Sequence, residues 1–265
     1  MLNRALAIAG AFVREPFESF ERFREKRAEE HDRAARPPGY EPEASFLSAL
    51  HVALHAPWPC AEDAEFEAAW NDIADRLTTK GLRTGRGAYG GWDDADRRLA
   101  RTVWCLVRHL RPTNVVETGV GRGVTSALIL EALERNAHGH LSSIDLPPIL
   151  ERDLARQTAA AIADRQRARW TLVRGSSRRK LPSLLRRLGE VDLFVHDSIH
   201  TERNLLFEWR SVLSVMPPGG VLVADDVQRN HGLNTFAREH ELSWALVGEH
   251  SDGQGLFAVA APRSG

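Results

Sequence analysis

The chain has 265 residues, 43% hydrophobic and 27% charged, with a formal net charge of −1. That balance suits a soluble globular protein with a sizeable core and gives no whole-chain electrostatic case for binding nucleic acid or an anionic membrane. The two cysteines, Cys60 and Cys105, stand in no metal-like spacing, so a disulfide framework is not expected and a cytoplasmic location is.

The apolar stretch from Ala5 to Val13 follows Arg4 as a short signal-peptide core would. It is too short to span a bilayer, which takes about 20 residues. It runs into Arg14-Glu15-Pro16 without a cleavage site, and so reads as a buried or partner-facing helix with no stable membrane insertion. Pro16 to Ala35 predicts a further helix, with Phe17, Phe20 and Phe23 at near-helical spacing among charged residues. Its aromatic face is expected to pack on the body or on a second subunit, giving a homo-oligomer through the N-terminal helices. Interleaved acids and bases weaken a membrane-surface role. Arg36 to Pro42 is a linker by composition.

Ala44–Ala56 and Ala61–Leu77 read as helices. The first sets His51 and His55 at i, i+4, but Val52 stands where a zinc-protease helix needs glutamate. Lys80 to Trp92 is rich in glycine and cations. It is either a lid whose Arg83, Arg86, Tyr89 or Trp92 meets substrate, or a solvated connector. Asp93 or Asp94 is placed to cap a helix carrying Leu99, Val103, Leu106, Val107 and Leu110 and ending at Pro112.

From there strands and helices alternate. Strands are predicted at Val115–Thr118, Leu141–Asp145, Trp170–Val173, Val191–His196 and Val221–Ala224, and a final pair at Trp244–Val247 and Gly255–Ala260. Helices are predicted between them up to Asn136, over Ile149–Arg167, Leu181–Leu188, Thr201–Val215 and Asn234–His240. The pattern implies an α/β, Rossmann-like, doubly wound and mostly parallel seven-stranded sheet with a C-terminal antiparallel hairpin and a helical N-terminal extension. Residues 1–92 are assigned to the extension and possible lid, and 93–265 to the sheet domain.

Ligands of such sheets bind beyond the carboxyl ends of the strands. Glu117, Gly119, Gly121 and Gly123 follow the first strand, and glycines at a strand-to-helix turn let backbone N–H groups approach a ligand closely. An acid before them suits a cofactor with a cationic end better than a pyrophosphate, and the dinucleotide fingerprint fails at Val124. Asp145 ends the second strand, where acids accept from ribose hydroxyls. Ser176 and Ser177 follow the third strand, Asp197 and His200 the fourth, and Asp225 and Asp226 the fifth. Three clustered carboxylates repel one another unless a hard cation such as Mg²⁺ joins them. His200, three residues after Asp197, suits a general base, whereas His196 reads as structural.

The segment Glu117-Thr118-Gly119-Val120-Gly121-Arg122-Gly123 resembles motif I of the class I S-adenosylmethionine-dependent methyltransferases. Val191 to His200, followed by Pro218-Gly219-Gly220 and Asp225-Asp226, is similar to a narrower group. It holds metal-dependent O-methyltransferases of macrolide-sugar and catechol type and cephalosporin-hydroxylase-like proteins. The resemblance implies that Glu117, Gly119, Gly121, Gly123 and Thr125 line the methionine end of S-adenosylmethionine and that Asp145 holds the ribose. Ser177 and Arg178 would border the adenine, Asp197, Asp225 and Asp226 would bind Mg²⁺ beside the cofactor, and His200 would be the base. Histidine rather than lysine there points to a sugar-bearing hydroxyl acceptor. A metal-independent methyltransferase and a non-catalytic cofactor-binding or assembly subunit are the rival readings.

Overall fold

The computed structural model describes residues 15–36, 38–85, 87–90, 96–146 and 151–263. The strands are β1 (Asn114–Thr118), β2 (His140–Asp145), β3 (Trp170–Arg174), β4 (Leu193–His196), β5 (Val221–Ala224), β6 (Leu242–Glu249) and β7 (Leu256–Pro262). They form one sheet in the order β3-β2-β1-β4-β5-β7-β6. β7 runs antiparallel to β5 and β6, and the other pairs are parallel. The doubly wound sheet with a C-terminal hairpin expected from the sequence is the observed architecture.

The helices are α1 (Pro16–Ala34), α2 (Phe46–Ala53), α3 (Asp63–Thr79), α4 (Arg97–Leu110), α5 (Val124–Asn136), α6 (Arg152–Arg156), α7 (Ser177–Leu188), α8 (Glu202–Leu213) and α9 (Gly232–Glu239). Alternate residues of each strand point to opposite faces. Val115, Leu193, Val195 and Val223 therefore meet the apolar sides of α2 to α5. Val116, Phe194 and Leu222 meet α7, α8 and α9 on the other face. The cap of α4 is Asp96, whose Oδ1 accepts from the Leu99 N–H at 2.8 Å. Asp93 and Asp94 lie outside the described residues, as do Ala5–Val13, Arg86 and Trp92.

Three local expectations are corrected. The helix expected over 149–167 is instead the short α6, a run of turns, and a 3-10 segment at Asp164–Arg169, with 149 and 150 outside the described residues. The backbone leaves helical geometry because Ala159, at φ +62°, donates to the Gly121 carbonyl and Ala161 donates to that of Arg122. Contact with the glycine turn overrides a local helical preference. His55 falls beyond the end of α2 at φ +53°, so it shares no helix face with His51.

The third correction concerns α1. Phe17, Phe20 and Phe23 are about half exposed, while Glu18, Glu21, Glu25 and Asp32 are buried. The face turned to the body is the acidic one, because it meets two helix N-termini, where unpaired N–H groups and the helix dipole favour negative charge. Glu18 accepts from the Ser176 N–H at 3.2 Å, before α7. Asp32 accepts from the Glu202 N–H at 2.9 Å, at the start of α8. Between them Glu25 accepts from Thr201 Oγ1 at 2.6 Å, from Arg178 Nε at 3.2 Å and from Arg203. Removing that carboxylate leaves two guanidinium groups and a buried hydroxyl short of a partner. Glu25→Ala is therefore expected to lose about 2 kcal/mol in urea denaturation and to open α1 to proteolysis, whereas Glu30→Ala, at an exposed position, changes neither.

Candidate active site

The carboxyl ends of β1, β2, β4 and β5 carry the expected residues into one region. The turn after β1 is built for backbone contact. Gly119 sits at φ +89°, and a Cβ there would lie 1.8 Å from the Asp197 carbonyl oxygen. Asp197 in turn donates its N–H to the Thr118 carbonyl at 2.9 Å. Gly123, at φ +78°, is the N-cap of α5. Gly121 faces the ring of Tyr89, and Thr125 is buried in the first turn of α5. Arg122 reaches back to the Ala88 carbonyl at 2.8 Å and to that of Arg83, so the backbone at these two residues is seated on the glycine turn.

Glu117 lies beneath this turn and is almost wholly buried. Its Oε2 accepts from Ser126 Oγ at 2.6 Å and from Ser143 Oγ at 2.8 Å. Its Oε1 is buried with no hydrogen-bond partner. Loss of water pushes the carboxyl up to about 7 despite the two hydroxyl donors. A buried carboxylate with one unmet oxygen fits a cationic group of a ligand. Asp145 accepts from the Val120 N–H at 3.1 Å, and burial raises its carboxyl above the ordinary range. Ser177 and Arg178 start α7. Ser177 Oγ donates to Asn204 Oδ1 at 3.4 Å, while Arg178 is engaged by Glu21 and Glu25 and lies over the Phe207 ring.

Across the turn, Asp197, His200 and Asp225 bring ligand atoms within 4.8 Å of one another, and Asp225, Asp226 and His250 do the same. His200 Nε2 stands 3.8 Å from Asp226 Oδ2, and its Nδ1 is buried without a hydrogen-bond partner. Burial lowers the His200 imidazole despite Asp226 and Asp225. Burial, followed by the charges of Asp225, Glu117 and Asp226, raises Asp197 well above the ordinary carboxylate range. Burial opposes charge on Asp225 too, yet the His250 hydrogen bond, the charges of His200 and His250 and the Asp226 N–H together outweigh it and the net shift is downward. His250 Nε2 donates to Asp225 Oδ1 at 2.7 Å, and against the lowering effect of burial that bond and the charges of Asp225, Asp96 and Asp226 together carry His250 to about 9. Asp226 adopts φ +54°, an uncommon conformation for a residue with a side chain, and pairs with Arg229 Nε at 2.9 Å. Each cluster joins two carboxylates to one imidazole, and Asp197, Asp225 and Asp226 do not by themselves form one such cluster. The oxygens suit Mg²⁺, while the imidazoles admit borderline divalent metals as well.

Sequence reasoning missed His250, Arg229 and Glu208. His250 lies in the hairpin between β6 and β7 and reaches Asp225 only because β7 lies beside β5. Glu208 of α8 is fully buried and accepts from Thr118 Oγ1 at 2.7 Å, His196 Nδ1 at 2.6 Å and Ser198 Oγ at 3.1 Å. His196 is a supporting residue held by Glu208, and its ring lies edge-on to that of His200 with centroids 5.8 Å apart.

The strand order and strand-end glycine turn are those of the class I methyltransferase fold. Residues 116–227 match a family model described as a methyltransferase domain. Solved structures share the fold. The O-methyltransferase TomG from Streptomyces achromogenes, involved in tomaymycin synthesis and in complex with SAM, is 15% identical with a TM-score of 0.55 over 84% of this chain and 100% of its own. The O-methyltransferase from Bacillus cereus in complex with SAH is also 15% identical, with a TM-score of 0.54 over 82% of this chain and 98% of its own. Cofactor-bound Rv0187 from MTB is 17% identical, with a TM-score of 0.56 over 85% and 100%. No curated protein sequence matches the chain.

Two outcomes follow from the glycine turn and the acid beneath it. Gly119→Ala forces a Cβ into backbone and is expected to cost about 3 kcal/mol in denaturant unfolding. Gly189→Ala, also at positive φ but with open space around it, should cost only about 1 kcal/mol. Glu117 has a folded pKa above its unfolded one, so the folded state holds the extra proton from about 4.5 to about 7. Its contribution to stability therefore declines as pH rises through that window and is flat above it. Glu117→Gln should remove that slope, a difference of up to about 3 kcal/mol between pH 4.5 and pH 8, read as Tm against pH for both proteins.

Proposed function

We propose that the protein is an S-adenosylmethionine-dependent O-methyltransferase, aided by Mg²⁺, acting on a hydroxyl of a sugar or glycosylated small molecule. The observation that carries this reading is the convergence of Asp197, His200, Asp225 and Asp226 beside the glycine turn. The methyltransferase-domain match over residues 116–227 supports the cofactor. The sugar-bearing acceptor rests on the histidine at position 200. Residues 1–92 serve as a helical extension to the catalytic region 93–265. The exposed aromatic face of α1 is the surface assigned to self-association. Among the described residues no helix is long and apolar enough to cross a membrane.

In this reading Glu117, Gly119, Gly121, Gly123 and Thr125 receive the cationic amino-acid end of the cofactor, with the unmet Glu117 oxygen as its acceptor. Asp145 exchanges its bond to the Val120 N–H for ribose hydroxyls. Ser177 and Arg178 border the adenine side. Asp197, Asp225 and Asp226 hold the metal. When bound, S-adenosylmethionine supplies an electrophilic sulfonium methyl and Mg²⁺ a local positive field that favours the ionised acceptor. His200 Nδ1, buried and without a partner, takes the acceptor's proton. The chain's remaining work is positioning and exclusion of water.

A second reading has its own observation. His250 and Arg229 already hold Asp225 and Asp226 at 2.7 and 2.9 Å, so protein cations partly do what a metal would do. A metal-independent methyltransferase fits that arrangement. Methyl transfer to a panel of glycosylated acceptors, before and after EDTA and with Mg²⁺ restored, separates the two. Loss on chelation with recovery on Mg²⁺ is expected, and full activity without metal would sink the metal half of the proposal. His200→Ala should lower kcat by about 100-fold or more under either reading. A thermal shift with NAD and none with S-adenosylmethionine would overturn the cofactor assignment.

A further inference from the structure

Far from the strand ends in sequence, α2, the loop after it and α4 bring together both cysteines of the chain and two histidines. His51 lies in the last turn of α2, and Cys60 in the loop before α3. Cys105 and His109 lie one turn apart on α4, so both side chains share a helix face. Ligand atoms of His51, Cys60 and His109 all fall within 4.8 Å of one another. Cys105, one turn before His109, is the nearest further thiol and acts on that of Cys60, and both thiols are free and buried. We propose that His51, Cys60, Cys105 and His109 form a structural zinc site that clasps α2 and the following loop to α4.

The separation of Cys60 Sγ and His109 Nε2 is 3.7 Å. Zinc bonds of about 2.3 Å to sulfur and about 2.05 Å to nitrogen, at tetrahedral angles, set a sulfur–nitrogen edge of about 3.6 Å. The pair is therefore already spaced as two corners of such a site. His51 supplies the independent sign of a ligand. It is fully buried, and its Nδ1–H donates to the Leu47 carbonyl at 2.7 Å. Fixing one ring nitrogen on a backbone carbonyl leaves the other with its lone pair, as in metal-binding histidines. Here that other nitrogen, Nε2, is buried with no hydrogen-bond partner. Left unmet, such an atom costs about 1–3 kcal/mol. The Trp58 ring, with its centroid 4.9 Å from that of His51, covers the cluster on one side.

The donor set selects the metal. Two thiols and two imidazoles suit tetrahedral Zn²⁺ and exclude Mg²⁺, which takes oxygen. Four protein ligands leave no open position, so the role is structural rather than catalytic. The cluster shares no residue with the strand-end carboxylates.

The full chain, purified without chelator, should carry one zinc per molecule by inductively coupled plasma mass spectrometry. Replacement with Co²⁺ should give tetrahedral visible bands and thiolate-to-cobalt charge transfer. Cys60→Ser and His109→Gln should each weaken zinc retention by more than about tenfold. The double variant Asp225→Asn/Asp226→Asn should keep its zinc, which separates this site from the carboxylate cluster. Should the ligand variants fail to fold, the wild-type chain stripped of metal still decides the matter. A Tm that rises with added Zn²⁺ but not Mg²⁺ supports the site. No zinc bound and no such rise, or cobalt spectra lacking charge transfer, would overturn it.

Discussion

The buried Glu208 carboxylate is the constraint on which the site rests. A carboxylate with no contact to water is costly unless its lone pairs are filled, and Glu208 fills them with Thr118, His196, Ser198 and Asn204. Thr118 ends β1, His196 ends β4, and Ser198 lies in the loop that carries Asp197 and His200. One side chain of α8 thus ties the end of β1, where the glycine turn begins, to the acid-bearing loop. Burial alone would raise its pKa, but His196 and the hydroxyl donors bring the net shift downward, as expected of a carboxylate held charged by its partners. The hydroxyl of Thr118 and the imidazole of His196 are adjacent in the parallel register, so the sheet itself presents both donors to α8.

The same logic, charge buried only where partners exist, explains α1. Helix N-termini offer several N–H groups with no intrahelical acceptor. Those of α7 and α8 lie side by side at the strand ends, and four acids on one side of α1 answer them and their neighbouring arginines. A helix docked through carboxylates on such a surface leaves its aromatic side outward. Arg24 and Arg27 lie over Phe20 and Phe23 there, so the exposed rings are partly covered by the helix's own cations.

How much of this was legible in the sequence follows from how local each cause is. Strand positions were readable because Val115, Val116 and Val221–Ala224 form short apolar runs between turn residues, and a sheet covered on both faces demands them. The strand-end acids were readable for a related reason. A parallel sheet places every βα turn at one edge, so Asp145, Asp197 and Asp225 share an edge whatever the details of packing. What failed depended on distant contacts. The turn at Ala159 is set by the carbonyl of Gly121, and the orientation of α1 by helix termini more than 150 residues away. Aromatic spacing at Phe17, Phe20 and Phe23 could not choose between the body and a second subunit as the partner of that face, because periodicity reveals that two faces differ but not which one meets the body.

Gly119 shows why the two halves of the site behave as one unit. Its missing Cβ lets the turn after β1 pack directly against the Asp197 carbonyl, so the glycine turn and the backbone bearing Asp197 share one contact. The charged groups acting most strongly on Asp197 are Asp225, Glu117 and Asp226, all acidic. Asp225 and Asp226 have His250 and Arg229 to share their charge. Asp197 therefore carries the least compensated carboxyl of the cluster, at the point where the glycine turn meets β4. A cation arriving on either side, sulfonium or metal, relieves the same repulsion. Under the proposed function, a sulfonium on one side and a metal on the other would both act on the field at Asp197.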